Sequence, residues 1–152
     1  MPKLSKFQTS PEKSRDGVWV HYAENFWVRV ARAGNPKYEA RLMRLLKPHR
    51  RRISMAENRA AAEKPFVIEA ASHDIVTGWG SMANGQIGVD GEVIEGAEDL
   101  LDDDGQPIPP EPAKIEAVLK QEGSDPLWRF IDAIASTEAL FRQEDVEDAA
   151  GN

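Results

Sequence analysis

The sequence predicts an α+β fold that is mostly helical, with an N-terminal β-hairpin followed by about five helices. Two runs of alternating β-branched and aromatic residues lie within residues 17–33 and flank a short polar turn. Residues 34–141 then carry apolar residues at helical spacing, interrupted by proline and glycine. The length of 152 residues corresponds to one domain.

The domain is predicted to occupy residues 17–142. Residues 1–16 contain few apolar residues, which predicts a disordered arm, and residues 143–152 are predicted to be a flexible tail. Four prolines in residues 106–112 predict an extended linker inside the domain. The chain has no cysteine, no secretory signal and no apolar run of about 20 residues. We therefore expect a soluble protein of the cytoplasm.

The hairpin carries aromatic side chains on both of its faces. Its turn is predicted at residues 23–25. Because side chains alternate along a strand, neighbouring aromatic residues on each strand fall on opposite faces. A lone hairpin is marginally stable in water, so we expect helices or another subunit to cover both faces. The candidates for partner or subunit contact are Trp19, Tyr22, Phe26 and Trp27.

Helix boundaries are marked along the rest of the chain. The first helix is predicted over residues 34–49, with Asn35 as its cap and Pro48 at its end. A second helical run is predicted to begin at the capping box of residues 54–57. Pro65 is predicted to break or kink this run, or to begin another helix. Gly78 fits its C-terminal cap. Three later helices are predicted, over residues 95–105, over residues 114–121 and from Ser124 onwards.

The glycine-rich stretch of residues 76–92 raises the question of a phosphate-binding loop. Two of its glycines have the spacing of a P-loop, but glutamine and isoleucine follow, and the phosphate-binding lysine is missing. The dinucleotide-binding fingerprint is also out of register. We therefore interpret the stretch as turns at residues 84–85 and 90–91, with Trp79 as an anchor in the core.

Metal and catalytic motifs are incomplete. Asp102, Asp104 and Glu111 fall at ligand positions of an EF-hand loop when Gly105 is set at its sixth position. However, Leu100 then occupies the first ligand position, and prolines interrupt the loop. No HExxH or GxSxG motif is present, and the histidines are scattered. We therefore predict no catalytic residue, no metal and no cofactor.

The two halves of the chain carry opposite charge. Residues 1–64 hold 15 Lys+Arg and 6 Asp+Glu, whereas residues 65–152 hold 4 and 20, within a net charge of −7. Such a chain can pair its own halves or associate with copies of itself head to tail. Basic residues are dense between Arg29 and Arg52. The candidate contact residues in this segment are Arg41, Arg44, Arg50, Arg51 and Arg52.

Short motifs follow one another along the chain in a definite order. A strand runs into an arginine and a glycine-asparagine pair that begins a helix, and a later helix ends in glycine-tryptophan. A turn, a helix with paired leucines and a final helix with a phenylalanine complete the series. The residues concerned are Arg32, Gly34, Asn35, Gly78, Trp79, Asp90, Gly91, Leu100, Leu101 and Phe130.

In this order of motifs, over roughly residues 26–141, the chain resembles the tail assembly chaperones of long-tailed bacteriophages. The proline-rich linker and residues 50–52 have no counterpart in that family. The resemblance implies a non-enzymatic protein of the host cytoplasm that is absent from the mature virion. It implies binding to the tail tape measure protein, which the chaperone keeps soluble, and recruitment of the tail tube protein. The two-faced hairpin and the opposite charges further predict self-association.

A second hypothesis is a small nucleic-acid-binding or regulatory phage protein that acts through residues 29–52. The net negative charge argues against nucleic acid or an anionic membrane as the partner of the whole surface. A steep loss of nucleic-acid affinity with rising salt concentration would favour this second hypothesis.

Overall fold

The computed structural model of the protein describes residues 2–81 and 100–142. The α-helices of this part are α1 (Pro11–Asp16), α2 (Pro36–Leu46), α3 (Arg50–Ser54), α4 (Arg59–Asp74), α5 (Pro112–Lys120) and α6 (Asp125–Ala135). The strands are β1 (Val18–Ala23), β2 (Phe26–Val30), β3 (Val76–Gly80), β4 (Leu100–Leu101) and β5 (Pro107–Ile108). Short 3₁₀ helices occupy Leu4–Phe7, Lys47–His49 and Glu138–Phe141.

The hairpin and the helices that follow it confirm the predicted α+β class. β1 and β2 pair antiparallel through a tight turn at Glu24 and Asn25, and Glu24 has a φ of 50°. β3 pairs antiparallel with β2, so β2 lies at the centre of a sheet with the order β1-β2-β3. Five α-helices follow the hairpin within the described residues, as the sequence predicts.

The inner face of the sheet packs against helices and forms the core. Val28 and Val30 of β2 are fully buried, and Trp79 of β3 is 4% exposed. These side chains form one cluster with buried residues of α4, α5 and α6. Trp79 also donates a hydrogen bond from Nε1 to the Ile108 carbonyl at 2.8 Å, which connects β3 to β5. The prediction that Trp79 anchors the core is confirmed.

The segment before the hairpin is folded in the structure, whereas a disordered arm is predicted there. Ser10 caps α1 by accepting a hydrogen bond from a first-turn amide at 3.3 Å. The Ser10 amide donates to the Phe141 carbonyl at 2.6 Å, and the Thr77 hydroxyl donates to the Asp16 carbonyl at 2.6 Å. The low apolar content of this segment does not reveal that it is folded, because the contacts that hold it are polar and join residues that are distant in sequence.

Gly17 allows the chain to turn from α1 into β1. Its φ is +97°, a conformation that favours glycine. An added Cβ would lie 2.9 Å from the Thr77 hydroxyl oxygen and 2.9 Å from the carbonyl carbon of Val30. Because Val30 belongs to the central strand, its backbone cannot move away, and we infer that only glycine fits at this position.

The helical run after α2 begins later than predicted. The capping-box prediction at residues 54–57 is wrong, because Ser54 ends α3 and its hydroxyl donates to the Arg51 carbonyl at 2.8 Å. Asn58 caps α4 instead, by accepting a first-turn amide at 3.1 Å. Pro65 lies within this one helical segment, so it neither ends α4 nor begins another helix.

Two segments form strands where the sequence predicts helical structure. One was predicted as the end of a helix, and the other as a helix of its own. Gly78 lies in β3 opposite Arg29, so it does not cap α4, which ends four residues earlier at Asp74. β4 pairs antiparallel with β5, although a helix is predicted over residues 95–105. Paired leucines suit a short strand as well as a short helix, and only the pairing partner distinguishes the two. The predicted turns at residues 84–85 and 90–91, residues 95–99 and the tail 143–152 lie outside the described residues.

The last two helices confirm their predictions. α5 begins and ends within two residues of its predicted bounds, and α6 begins directly after Ser124, as predicted, and ends at Ala135. Ile115 and Leu119 of α5 are buried, as expected from their spacing. Trp128 of α6 is also buried, and the sequence did not single it out.

Replacing Trp79 by alanine is expected to lower the free energy of unfolding by about 3–5 kcal/mol, because it leaves a cavity. Trp79→Phe keeps most of the ring but loses the hydrogen bond to Ile108, so about 1 kcal/mol is expected from that bond. Trp27→Phe is the matched control, because Nε1 of Trp27 is buried without a hydrogen-bond partner. Urea denaturation measures the free energy of unfolding of all three variants. An equal cost for both phenylalanine variants would contradict a role of the Trp79 hydrogen bond.

Candidate functional site

The outer face of the sheet consists of Trp19 and His21 of β1 with Trp27 and Arg29 of β2. Trp19 lies opposite Arg29, and His21 lies opposite Trp27. The rings of His21 and Trp27 lie 4.8 Å apart. None of these four side chains belongs to the core cluster. Two of the predicted contact residues, Trp19 and Trp27, are therefore together on this face.

A glycine on β3 makes room for the Trp19 ring. Gly78 lies opposite Arg29, which in turn lies opposite Trp19. An added Cβ at Gly78 would lie 3.1 Å from the tip of the indole. The Trp19 ring therefore reaches across the central strand to β3, where the absence of a side chain at Gly78 leaves space for it.

The other two predicted contact residues of the hairpin lie on the inner face. The ring of Tyr22 lies 4.9 Å from the ring of Phe130 in α6. The ring of Phe26 lies 6.1 Å from that of Trp79. Helices and strands of the same chain thus engage Tyr22 and Phe26, so the outer-face tryptophans remain as the candidates for partner contact.

Arg41 is engaged in a buried ion pair. Its Nε lies 2.6 Å from Oδ2 of Asp74, whose side chain is 6% exposed. Asn35 also contacts Asp74, since its side-chain amide nitrogen donates to the carbonyls of Arg32 at 2.6 Å and Asp74 at 3.3 Å. Its Oδ1 accepts from the Tyr38 amide at 2.9 Å, which confirms Asn35 as the cap of α2. Asp74 was missed because an acid 33 residues from Arg41 gives no local signal.

The motif residues Arg32 and Gly34 also make structural contacts. The Arg32 guanidinium pairs with the Glu138 carboxylate at 3.2 Å. An added Cβ at Gly34 would lie 2.9 Å from Cζ of Arg32, so the glycine leaves space for that side chain. These residues fix the connection between β2 and α2 against the C-terminal part of the domain.

The arginine surface consists of the four remaining candidate arginines on α2 and α3. All four are exposed, and none forms an ion pair within residues 2–81 and 100–142. The ring of His49 stacks on Phe66 of α4 at 4.6 Å, which holds the start of α3 against the domain. The positive charges of this surface are thus available to an anionic partner. Its members are Arg44, Arg50, Arg51 and Arg52.

Oppositely charged halves of the chain pair within the molecule, one of the two arrangements that the sequence left open. Among the residues that the structure describes, three ion pairs join the first 64 residues to the rest of the chain. The Lys64–Asp125 pair is the most exposed of these ion pairs, and the hydrogen bond from Lys64 lowers the pKa of Asp125. Head-to-tail association of copies stays a prediction. The pairs are Arg32–Glu138 at 3.2 Å, Arg41–Asp74 at 2.6 Å and Lys64–Asp125 at 2.7 Å.

The acidic segment before the prolines forms a turn. Asp102 accepts hydrogen bonds on Oδ1 from the amides of Asp104 at 2.9 Å and Gln106 at 2.8 Å. Within residues 2–81 and 100–142, no cluster of three or more His, Asp or Glu side chains has an arrangement that would hold a metal ion. In the same part of the chain, no helix has the length and apolar character needed to cross a membrane.

Residues 33–152 match the model of a family described as YdaY prophage protein, and this match covers well over half of the chain. The chain belongs to the YdaY prophage protein family. It is therefore a phage-derived protein. The region shared with the family begins after the hairpin and contains α2 to α6 together with β3. No curated protein and no solved structure matches the chain.

Arg41 and Arg44 are expected to respond differently to substitution. Arg41→Ala should lower the free energy of unfolding by about 1–3 kcal/mol, because it leaves the Asp74 carboxylate buried without its cation. Arg44→Ala, on the same helix but exposed, should change it by no more than about 0.5 kcal/mol. Chemical denaturation compares the two variants. Equal effects would show that the ion pair does not stabilise the contact of α2 with α4.

Proposed function

We propose that this prophage protein is a non-enzymatic tail assembly chaperone that binds and solubilises the tail tape measure protein. It also helps to recruit tail tube subunits, acts in the host bacterial cytoplasm and leaves before the virion is complete. Membership of a prophage family supports the proposal, and so does the order of the motifs along the sequence, of which Gly78-Trp79 and Leu100-Leu101 lie in strands and not in helices. The observation that carries it is the outer face, where two tryptophans lie outside the core of their own domain.

The chemistry of the outer face suits an apolar helical partner. A tape measure protein, as the resemblance implies, is a long helix with apolar stripes, and such surfaces aggregate when they are uncovered. Tryptophan supplies a large apolar area with few rotatable bonds, which is why it is enriched at strong contact points. The space that Gly78 leaves lets the Trp19 ring lie over β3, so its area adds to that of Trp27 on the same face of the sheet.

Co-expression with the tape measure protein of the same prophage tests this function. Wild-type protein is expected to keep the tape measure protein in the soluble fraction and to co-purify with it. The double variant Trp19→Ser/Trp27→Ser should lose both effects, because the apolar contact area is removed. Met55→Ser is the matched control, since Met55 is 76% exposed and lies outside the outer face. Circular dichroism confirms that each variant is folded before the comparison.

Two results would count against this proposal in different ways. Wild-type protein that leaves the tape measure protein insoluble and unbound would refute the chaperone function. A folded double variant that solubilises the tape measure protein as well as wild type would instead remove the outer face as the contact surface.

A second candidate function, nucleic-acid binding, is favoured by the arginine surface. Four exposed arginines without ion pairs in the described part of the chain are suited to contact backbone phosphates. Under this alternative, affinity for a DNA or RNA duplex falls steeply as the salt concentration rises. Arg50→Glu/Arg51→Glu should then abolish binding.

Fluorescence anisotropy over a range of salt concentrations measures this binding. The charge-matched control is Lys114→Glu/Arg129→Glu, because both residues are exposed on α5 and α6 and the net charge changes equally. Retained binding in the control, together with loss in the arginine variant, is the expected pattern for this alternative. Equal losses in both double variants, or no binding by wild type, would exclude it.

A further inference from the structure

A basic groove lies between α1, β2 and the N-terminal end of α2. It is formed by two adjoining cavities of about 340 Å³ and 450 Å³ that share Arg15, Asn35 and Lys37 as lining residues. Arg29 and His73 line the first cavity, and the second extends along α1 and α2. Basic side chains from four different elements, α1, β2, α2 and α4, thus line a single concave surface.

The acids in the groove are already neutralised. Asp16 accepts from Nε of Arg15 at 3.0 Å, and Asp74 from Nε of Arg41 at 2.6 Å. By contrast, Arg29 and Lys37 form no ion pair within residues 2–81 and 100–142. Two positive charges of the groove thus have no ion-pair partner in the part of the chain that the structure describes.

Arg29 is the more constrained of these two cations. Its Nε is buried without a hydrogen-bond partner, so the guanidinium is partly desolvated and keeps a donor without an acceptor. A hydrogen bond from Arg15 lowers the pKa of Asp16, and the charges of Arg29 and Lys37 lower it further. The groove therefore has a positive potential, which an anionic group from outside would relieve.

The shape of the groove selects among anionic ligands. Its two adjoining cavities, of about 340 Å³ and 450 Å³, offer more space than a single small ion requires, and Pro11 and Pro36 add apolar surface to the second cavity. A nucleic-acid duplex is too wide to enter cavities of about 340 Å³ and 450 Å³. Guanidinium groups bind carboxylates with paired hydrogen bonds. An extended peptide with acidic side chains has both the length and the charge that the groove offers.

We propose that the basic groove binds an acidic peptide segment of a partner protein, whose carboxylates are held by Arg29 and Lys37. Arg29 belongs to both the groove and the outer face, but no other lining residue of the groove belongs to the outer face. The groove differs from the arginine surface, because its cations line a cavity and those of α3 lie on an open helix surface.

Isothermal titration of the full chain with a short oligoglutamate peptide tests the proposal. Lys37→Gln and Arg29→Gln are each expected to weaken binding about tenfold, the loss typical of one charge-assisted contact. Lys37 is exposed, so its variant remains informative even if Arg29→Gln unfolds the protein. Arg51→Gln is the matched control, since it removes the same charge from the exposed surface of α3 and should leave the affinity unchanged.

Other outcomes would overturn the proposal. No binding of oligoglutamate, or equal binding of oligoglutamine, would show that the groove does not recognise acidic peptides. An equal loss in Arg51→Gln and Lys37→Gln would indicate diffuse attraction of charge. Displacement of the peptide by inorganic phosphate or a short oligothymidylate at lower concentration would assign the groove to phosphates. The titration contains no tape measure protein, so its failure leaves the chaperone proposal intact.

Discussion

The antiparallel pairing of β2 with β3 is the interaction on which the rest of the structure depends. It makes β2 a central strand, so Val28 and Val30 are fully buried between the sheet neighbours and the helices. It places Trp79 on the inner face, where the indole joins the core cluster and binds the Ile108 carbonyl. On the opposite side, the same pairing brings Gly78 next to the Trp19 ring. One ladder thus determines both the core and the candidate contact surface.

Polar contacts between distant parts of the chain distinguish the side chains that stabilise the fold from those that are available to a partner. Arg41 pairs with Asp74, and Arg32 pairs with Glu138, so these cations stabilise the domain. The arginines on α3 have no such partner in the described residues, and their charge faces outward. The tryptophans divide in the same way, because Trp79 of β3 and Trp128 of α6 belong to the core cluster and the two of the outer face do not. Whether an arginine or a tryptophan is a candidate for partner contact therefore depends on its contacts inside the domain and not on its residue type.

Local signals in the sequence predicted most elements and some of the site. The alternation of the hairpin and the Asn35-Pro36 start of α2 are properties of adjacent residues, and both are confirmed. The prediction was wrong where two local patterns compete, since Ser54 resembles a helix cap but ends α3. Of the nine candidate contact residues, the sequence could not tell that Tyr22, Phe26 and Arg41 have partners inside the chain. Those partners are distant along the chain.

By itself, the sequence determined the fold class, the presence of the hairpin and the buried face of α5. Backbone alternation and helical periodicity decide these features over a few residues. Only the tertiary structure decided that Gly78 belongs to a strand, that the segment before the hairpin is folded and that the basic groove exists. Each of these depends on hydrogen bonds or charges between segments that are far apart in sequence. Such long-range contacts form only when the whole chain packs, and no local pattern encodes them.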